Sequence, residues 1–239
     1  MIKGLSIAKA GMLPRQRQLE VNANNLANID TIGFKKTSVF FRHLLNSLKN
    51  QSEAETITSE AMVDFSPGPL KETGNPLDVA IAGEGFFVIQ TPEGQVFTRN
   101  GNFTLSADGR LTTVDGYSVL GNGGEIQING NEIKINETGA ITVDGQAVDT
   151  IRVVTFEDLS ELVQVGSNFF SPGDKADMMD LEPEKIQLRQ GYLESSNVTG
   201  IDEIISMIEL YRQFEFGQKV ISTQDQTLEK LINDTGRVS

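Results

Sequence analysis

His43 is the only histidine in the 239 residues, and the chain has no cysteine. A Ser–His–Asp relay would have to run through His43. That residue stands beside Leu44 and Leu45, in a stretch from Phe40 to Leu48 whose apolar spacing predicts a short amphipathic helix, so packing is the favoured reading of the imidazole. Two-histidine metal motifs, thiolate nucleophiles, disulfides and zinc–thiolate centres are excluded by composition. Gly83-Glu84-Gly85 has glycines suited to a phosphate loop, but no Gly-Lys-Ser/Thr follows; a tight turn into a strand fits better. The Asp-Gly pairs lack the alternating acidic ligands of a calcium-binding loop. The Asn-x-Thr triplets at Asn102, Asn136, Asn197 and Asn233 are what chance gives in a chain rich in both residues. No catalytic residue, cofactor-binding residue or metal ligand is assigned, and the chain reads as a non-enzyme.

Charge narrows the partners. There are 33 acidic and 20 basic residues, a net charge of −13. That balance argues against nucleic acid, whose phosphates demand clustered Lys and Arg, and against docking on an anionic membrane surface. No apolar run of about 18 residues is present, so no transmembrane helix is expected. The start, Met1-Ile2-Lys3-Gly4-Leu5, lacks the apolar core of a cleaved secretory signal. Export, where it occurs, is expected to retain these residues.

The elements that would position any functional surface are helices at both ends. Leu5, Met12, Leu19 and Leu26 recur every seven residues, with Ala8, Arg15, Asn22 and Ile29 as the partner row. Pro14 interrupts this stripe, and a proline inside a helix costs roughly 3 kcal/mol. The expectation is therefore a continuous helix from about Pro14 to Asn28, preceded by a shorter or kinked stretch. Asn25 and Asn28 stand near the seam, where a buried amide penalises wrong registers. Near the other end Thr199 can cap a helix, with Asp202 three residues on. Ile201, Ile204, Ile205, Ile208 and Tyr211 then form one stripe; Met207, Phe214, Ile221 and Leu228 form another, widened by Leu210 and Leu231. Two stripes imply more than one neighbour. This helix would extend about 45 to 50 Å, more than one small β domain covers. Its apolar surface needs sister molecules, since burial at about 25 cal/mol per Å² must offset the ordering entropy. The subunit interface is accordingly placed at Leu5, Met12, Leu19, Asn25, Leu26, Asn28 and Ile29 on the N-terminal side. On the C-terminal side it is placed at Ile201, Ile204, Ile208, Tyr211, Phe214, Ile221, Leu228 and Leu231.

Between the helices the period changes to two. Strands are predicted at Asp78–Ile81, Gly85–Gln90, Gln95–Thr98, Phe103–Leu105, Arg110–Val114, Tyr117–Leu120 and Glu125–Ile128. Others follow at Glu132–Ile135, Ala140–Val143, Thr150–Phe156 and Leu162–Val165. Asx-Gly pairs such as Asp108-Gly109 and Asp144-Gly145 supply the tight turns. Phe169 and Phe170 are expected to end the β region, Pro172 to Pro183 to be a loop, and Lys185 to Leu193 to resume an extended path. The fold class is α+β. The N- and C-terminal helices pair as a coiled-coil-like layer flanking a central, mainly antiparallel β domain. Four segments follow: a helical segment (1–48), a linker or extended arm (49–75), the β domain (76–184), and a return strand with the C-terminal helix (185–239).

Three separated motifs resemble one known family. Asn24-Asn25-Leu26-Ala27-Asn28-Ile29-Asp30-Thr31 with Gly33-Phe34-Lys35 is similar to the N-terminal signature of the bacterial flagellar rod, hook and hook-associated proteins. Pro76-Leu77-Asp78-Val79-Ala80-Ile81 through Gly83-Glu84-Gly85-Phe86-Phe87-Val88, continued by Thr98-Arg99-Asn100-Gly101-Asn102-Phe103, resembles the start of their central β domain. Gln190-Gly191-Tyr192-Leu193-Glu194-Ser195-Ser196-Asn197-Val198 resembles the signature before their C-terminal helix. The resemblance spans almost the whole chain. It implies an axial flagellar component, exported through the flagellar type III apparatus and polymerising helically, with copies of itself and other rod and hook proteins as partners. It places the protein in the basal-body rod, in the periplasmic space. The short stretch from Leu48 to Pro69, Tyr117 to Ile128 with Gly121-Asn122-Gly123-Gly124, and Arg212-Gln213-Phe214-Glu215-Phe216 resemble a proximal rod subunit, and Gly4-Leu5-Ser6-Ile7-Ala8-Lys9-Ala10-Gly11 a distal one; the resemblance favours the proximal subunit, with the distal one as the alternative. The hook position is disfavoured, because the chain has no room for larger outer domains.

A reading from another class is a secreted carbohydrate-binding β protein with helical oligomerisation ends. It needs exposed aromatics or paired carboxylates, and the chain has no Trp and three Tyr. A chaperone-like coiled coil is disfavoured by the well-patterned β segment.

Overall fold

A computed structural model describes residues 2–44, 56–173 and 176–236; side chains are described for 12–40, 61–173, 176–227, 229, 230 and 233. The chain forms two compact units that interleave in sequence: Met1–Ala27, Thr37–Val63 and Thr199–Ser239 in one, Asn28–Lys36 and Asp64–Val198 in the other.

The first unit holds the two helices, α1 (Ile2–Ala27) and α2 (Gly200–Gly236). The α1 helix is one helix with Pro14 inside it. The sequence predicts a helix from about Pro14 with a shorter or kinked stretch before it; the helix instead starts at Ile2 and runs on through Pro14, whose missing N–H removes one backbone bond. Helix α2 starts where the Thr199 carbonyl accepts from the Asp202 and Glu203 amides at 3.1 and 3.2 Å. Asp202 and Glu203 place negative charge in its first turn, where the helix dipole favours it. With 37 residues the helix is about 55 Å long.

The same unit contains a hairpin that corrects the sequence reading. The strand Thr37–Leu44 pairs antiparallel with Thr56–Val63, in register from Thr37 opposite Val63 to Leu44 opposite Thr56. Residues 40–44 were expected in a helix, and His43 lies on this strand instead. The apolar run there is too short to distinguish periods of 3.6 and two, and β-branched and aromatic residues at 37–41 fit a strand once a partner strand lies opposite. The remainder of that expected helix, residues 45–48, falls outside the described residues. The stretch assigned as an arm, 49–75, carries Thr56–Val63 and a further strand, Leu70–Glu72.

The second unit is almost entirely β. Its largest sheet runs in the order Leu162–Val165, Phe169–Pro172, Gly94–Thr98, Phe86–Thr91, Ser118–Gly121, Leu111–Thr113, Phe103–Leu105. Gly124–Glu125 is added beside Ser118–Gly121, and Val153–Phe156 pairs with both Phe86–Thr91 and Met178–Asp180. A separate three-stranded sheet contains Ile133–Ile135, Ala140–Val143 and Gln146–Thr150. The Asp144-Gly145 turn joining its last two strands has both φ angles positive, 50° and 84°, as a tight two-residue hairpin loop requires. Val79, Ile81, Phe87, Ile89, Phe103, Leu111, Val119, Ile141 and Val153 meet in a continuous apolar core.

Two corrections belong to this unit. Phe169 and Phe170 begin the strand Phe169–Pro172 within the sheet; they do not end the β region. The predicted loop Pro172 to Pro183 contains the strand Met178–Asp180. Met178 and Met179 are exposed, so no alternating apolar pattern marks this strand in the sequence, and pairing with Val153–Phe156 decides it. Two short antiparallel pairs close the unit: Val79–Ile81 with Leu188–Gln190, and Leu70–Glu72 with Tyr192–Glu194. They return the end of the unit to its beginning. No helix among the described residues is long and apolar enough to cross a membrane.

Candidate assembly interface

In the helical unit, α1 and α2 run antiparallel. Arg15 Nε donates to Gln213 Oε1 at 2.9 Å, Asn22 Nδ2 to Ser206 Oγ at 2.7 Å, and Asn25 Nδ2 to Glu203 Oε2 at 3.5 Å. Steps of seven and three along α1 are matched by equal steps, in reverse, along α2. The polar row read in the sequence, Arg15 and Asn22, is therefore the row that meets the other helix. Gly217 lets Met12 approach: a Cβ there would stand 3.3 Å from Met12 Cγ. Leu210, on the same face of α2, is buried.

Asn25 is fully buried and binds both backbone groups of one residue, donating to Thr37 O at 2.8 Å and accepting from Thr37 N at 3.0 Å. This amide fixes where the chain after the first motif rejoins the helical unit.

The opposite face of α2 is apolar and open. Ile201 is 71% exposed, and Ile204, Ile205, Ile208, Tyr211 and Phe216 are exposed too. Their spacing puts them on one stripe, turned away from Glu203, Ser206, Leu210 and Gln213. Ile201, Ile204, Ile208 and Tyr211 of the sequence-assigned interface thus lie together on solvent. Met12, Leu19, Leu26, Phe214 and Ile221 are half-buried. Asn28 and Ile29 are half-buried in the second unit, where Asn28 Oδ1 accepts from Thr31 Oγ1 at 3.1 Å. The side chains of Leu5, Leu228 and Leu231 fall outside those described. A row of exposed Ile on a long helix is the surface expected of a protein–protein contact.

In the second unit the structure brings together residues that sequence reasoning did not single out. Glu194 is wholly buried, and its Oε1 accepts from Lys35 Nζ at 2.6 Å and from Gly68 N at 2.9 Å. Its Oε2 lies 2.9 Å from Arg99 Nε, an approach of charges without hydrogen-bond geometry. Lys35 also donates to Ser66 O at 2.7 Å. Arg99 donates through Nη1 to the carbonyls of Gly83 and Gly85 at 2.9 and 2.6 Å, and through Nη2 to Gly83 at 2.9 Å. Its guanidinium carbon lies 5.9 Å from the centre of the Phe86 ring. Burial is the largest influence on both cations and holds the Lys35 ammonium and the Arg99 guanidinium below their ordinary pKa, while Glu194 opposes the shift.

Asn197 adds a second tie. Its Oδ1 accepts from Lys36 N at 2.7 Å and its Nδ2 donates to Asp64 O at 2.9 Å and Ser66 O at 3.1 Å. Gly33 completes the arrangement: its N donates to Glu194 O at 2.8 Å, its φ is +68°, and a Cβ would collide with the Asn100 backbone. Only glycine fits there. The available signal was that each of three motifs carries a charged residue, Lys35, Arg99 or Glu194, beside Gly or apolar neighbours.

Comparison with known proteins matches three separate segments of the chain. Residues 5–35 match the family described as flagella basal body rod protein, 80–143 the flagellar hook protein FlgE/F/G D1 domain, and 189–234 the flagellar basal body rod FlgEFG protein C-terminal family. Each matched segment contributes one member of the buried cluster: Lys35, Arg99 and Glu194. The chain is 35% identical to the flagellar basal-body rod protein FlgG of Agrobacterium fabrum over 253 aligned residues, covering 94% of this chain and 96% of that protein. It is 33% identical to FlgG of Bacillus subtilis, covering 98% and 99%. It is 31% identical to the flagellar basal-body rod protein FlgF of Rhizobium meliloti over 239 residues, covering 99% of each.

Proposed function

The chain belongs to the flagellar basal-body rod protein family, and from that premise we propose that it is a structural subunit of the rod, polymerising through its terminal helices. The observation that carries this is the open stripe of Ile201, Ile204, Ile208 and Tyr211 on α2. One face of the helix is satisfied by α1, so the other is left for neighbouring copies and for other rod and hook proteins. The antiparallel ladder of Arg15, Asn22 and Asn25 supports reading the helix pair as the unit of a coiled-coil-like layer. The protein acts as a mechanical component without enzymatic chemistry, in the basal body within the periplasmic space. It reaches that site through the flagellar type III apparatus.

Within the rod we propose the proximal position, that of FlgF. The FlgF of Rhizobium meliloti aligns with this chain over 239 residues, the length of the chain itself, whereas the FlgG relatives align over 253 and 269. Those longer alignments fit an insertion this chain does not have. The higher identity to FlgG, 35%, favours the distal position as the second reading.

The chain has no cysteine, so one introduced at Ile204 reports contacts without background. Crosslinking in isolated basal bodies is expected to join it to another axial protein, and identifying that protein fixes the position. An Ile204 thiol that is freely modified in assembled basal bodies would overturn the proposed interface.

A further inference from the structure

We propose that Glu194 is a late latch: the second unit stays open until the segment carrying residues 194–197 arrives. Lys35 and Arg99 are both buried, and the ion pair of each is with Glu194. Asp64 acts on Lys35 and Glu84 on Arg99 only through longer-range attraction. Burying either cation before its counter-charge is present is strongly unfavourable.

Glu194 comes last of the three in the chain, 159 residues after Lys35. It arrives on the strand Tyr192–Glu194, laid against Leu70–Glu72. The same short segment supplies the acceptors for Gly33 N, Gly68 N and Lys36 N, and the donor for Asp64 O. Until it is in place, the amides of Gly33 and Gly68 and the Lys35 ammonium lack the acceptors on that segment that let them leave water. A chain made from its N-terminus therefore presents Lys35 and Arg99 long before it can bury them. Closure around Lys35 and Arg99 waits until nearly the whole β segment has emerged. The latch depends on the contacts of Glu194 and not on the rod position the protein takes; it also suits a protein that must pass unfolded through an export channel.

The test is pulsed hydrogen exchange on the full-length chain during refolding from urea, read by mass spectrometry. Peptides covering 31–38 and 192–198 are expected to gain protection in the same kinetic phase. Glu194→Gln is expected to lower native protection of 31–38 at least tenfold, and the apolar triple variant K35M/R99M/E194M to restore it. Protection of 31–38 in an earlier phase than 192–198 would overturn the latch, as would unchanged protection in Glu194→Gln or failure of the triple variant to restore it. Should Glu194→Gln not fold, the order of phases in the unaltered chain decides the question by itself.

Discussion

Lys35 Nζ and Glu194 Oε1 meet at 2.6 Å with both side chains closed off from water, and Arg99 takes the other carboxylate oxygen. Two cations thus share one anion, and the cluster is not symmetric to deletion. Removing Lys35 leaves Glu194 paired with Arg99; removing Glu194 leaves two buried positive charges. Glu194→Gln is expected to destabilise the protein by about 3 to 5 kcal/mol, the cost typical of breaking a buried pair. Lys35→Met, which forfeits the bond to Ser66 O, is expected to cost about 1 to 3 kcal/mol. Urea unfolding of both variants, compared at equal m-value, checks the ranking; equal costs would contradict it.

The same cluster imposes a pH dependence. Burial lowers the folded-state pKa of Lys35 from 10.5, with Glu194 opposing. Between that lowered value and 10.5 the unfolded chain holds more protons than the folded one, so stability contributed at this site rises with pH. Below the folded-state value the cost of burying the charge is fully present. Exposed Lys134 is shifted upward beside Glu132, and its contribution falls as pH rises through its folded-state pKa. The difference in stability between the unaltered chain and Lys35→Met isolates the buried group. That difference is expected to move in favour of the unaltered chain as pH rises toward 10.5; a flat difference would show that the Lys35 proton is indifferent to folding.

Asn25 holds Thr37 by both its N–H and its carbonyl. Aspartate at this position keeps the acceptor but loses the donor, and places a second carboxylate near Glu203. Asn25→Asp is expected to cost about 2 to 3 kcal/mol through the lost amide bond to the Thr37 carbonyl and the buried charge. Thermal melts at pH 7 and near pH 4 should differ less from the unaltered chain at the lower pH, where the new carboxylate is neutral.

The periodicity of the chain made the terminal helices and much of the β unit legible. Phe103–Leu105, Ala140–Val143 and Leu162–Val165 coincide with the strands read from alternation and turns. Those signals are local. Phe40 to Leu48 reads as helix from five apolar positions too few to separate the two periods, whereas residues 40–44 belong to a strand whose identity lives in the partner at Thr56–Val63. Lys35, Arg99 and Glu194 each look like surface charges in the sequence. Their meeting depends on pairing between residues more than a hundred positions apart, which no local pattern encodes. The Ile stripe was legible as apolar, but its freedom from α1 becomes visible only once Arg15 and Asn22 are seen on the contact face.

Ile208 and Leu210 stand two residues apart on α2 yet face opposite ways: Ile208 is 56% exposed and Leu210 only 6%. Their substitution should separate assembly from stability. Leu210→Ala opens a cavity at a buried position of α2 and is expected to cost about 2 to 5 kcal/mol in the isolated protein. Ile204→Ser with Ile208→Ser removes no buried contact of the protomer, so its stability should change by no more than about 0.5 kcal/mol per site. In the assembled rod those two side chains would lose their burial against a neighbour, and two apolar anchors lost from one interface are enough to abolish association. The double variant is therefore expected to melt like the unaltered chain, yet fail to restore swimming in a strain lacking the gene. Normal swimming by the double variant, with full incorporation into purified basal bodies, would move the interface elsewhere on the molecule.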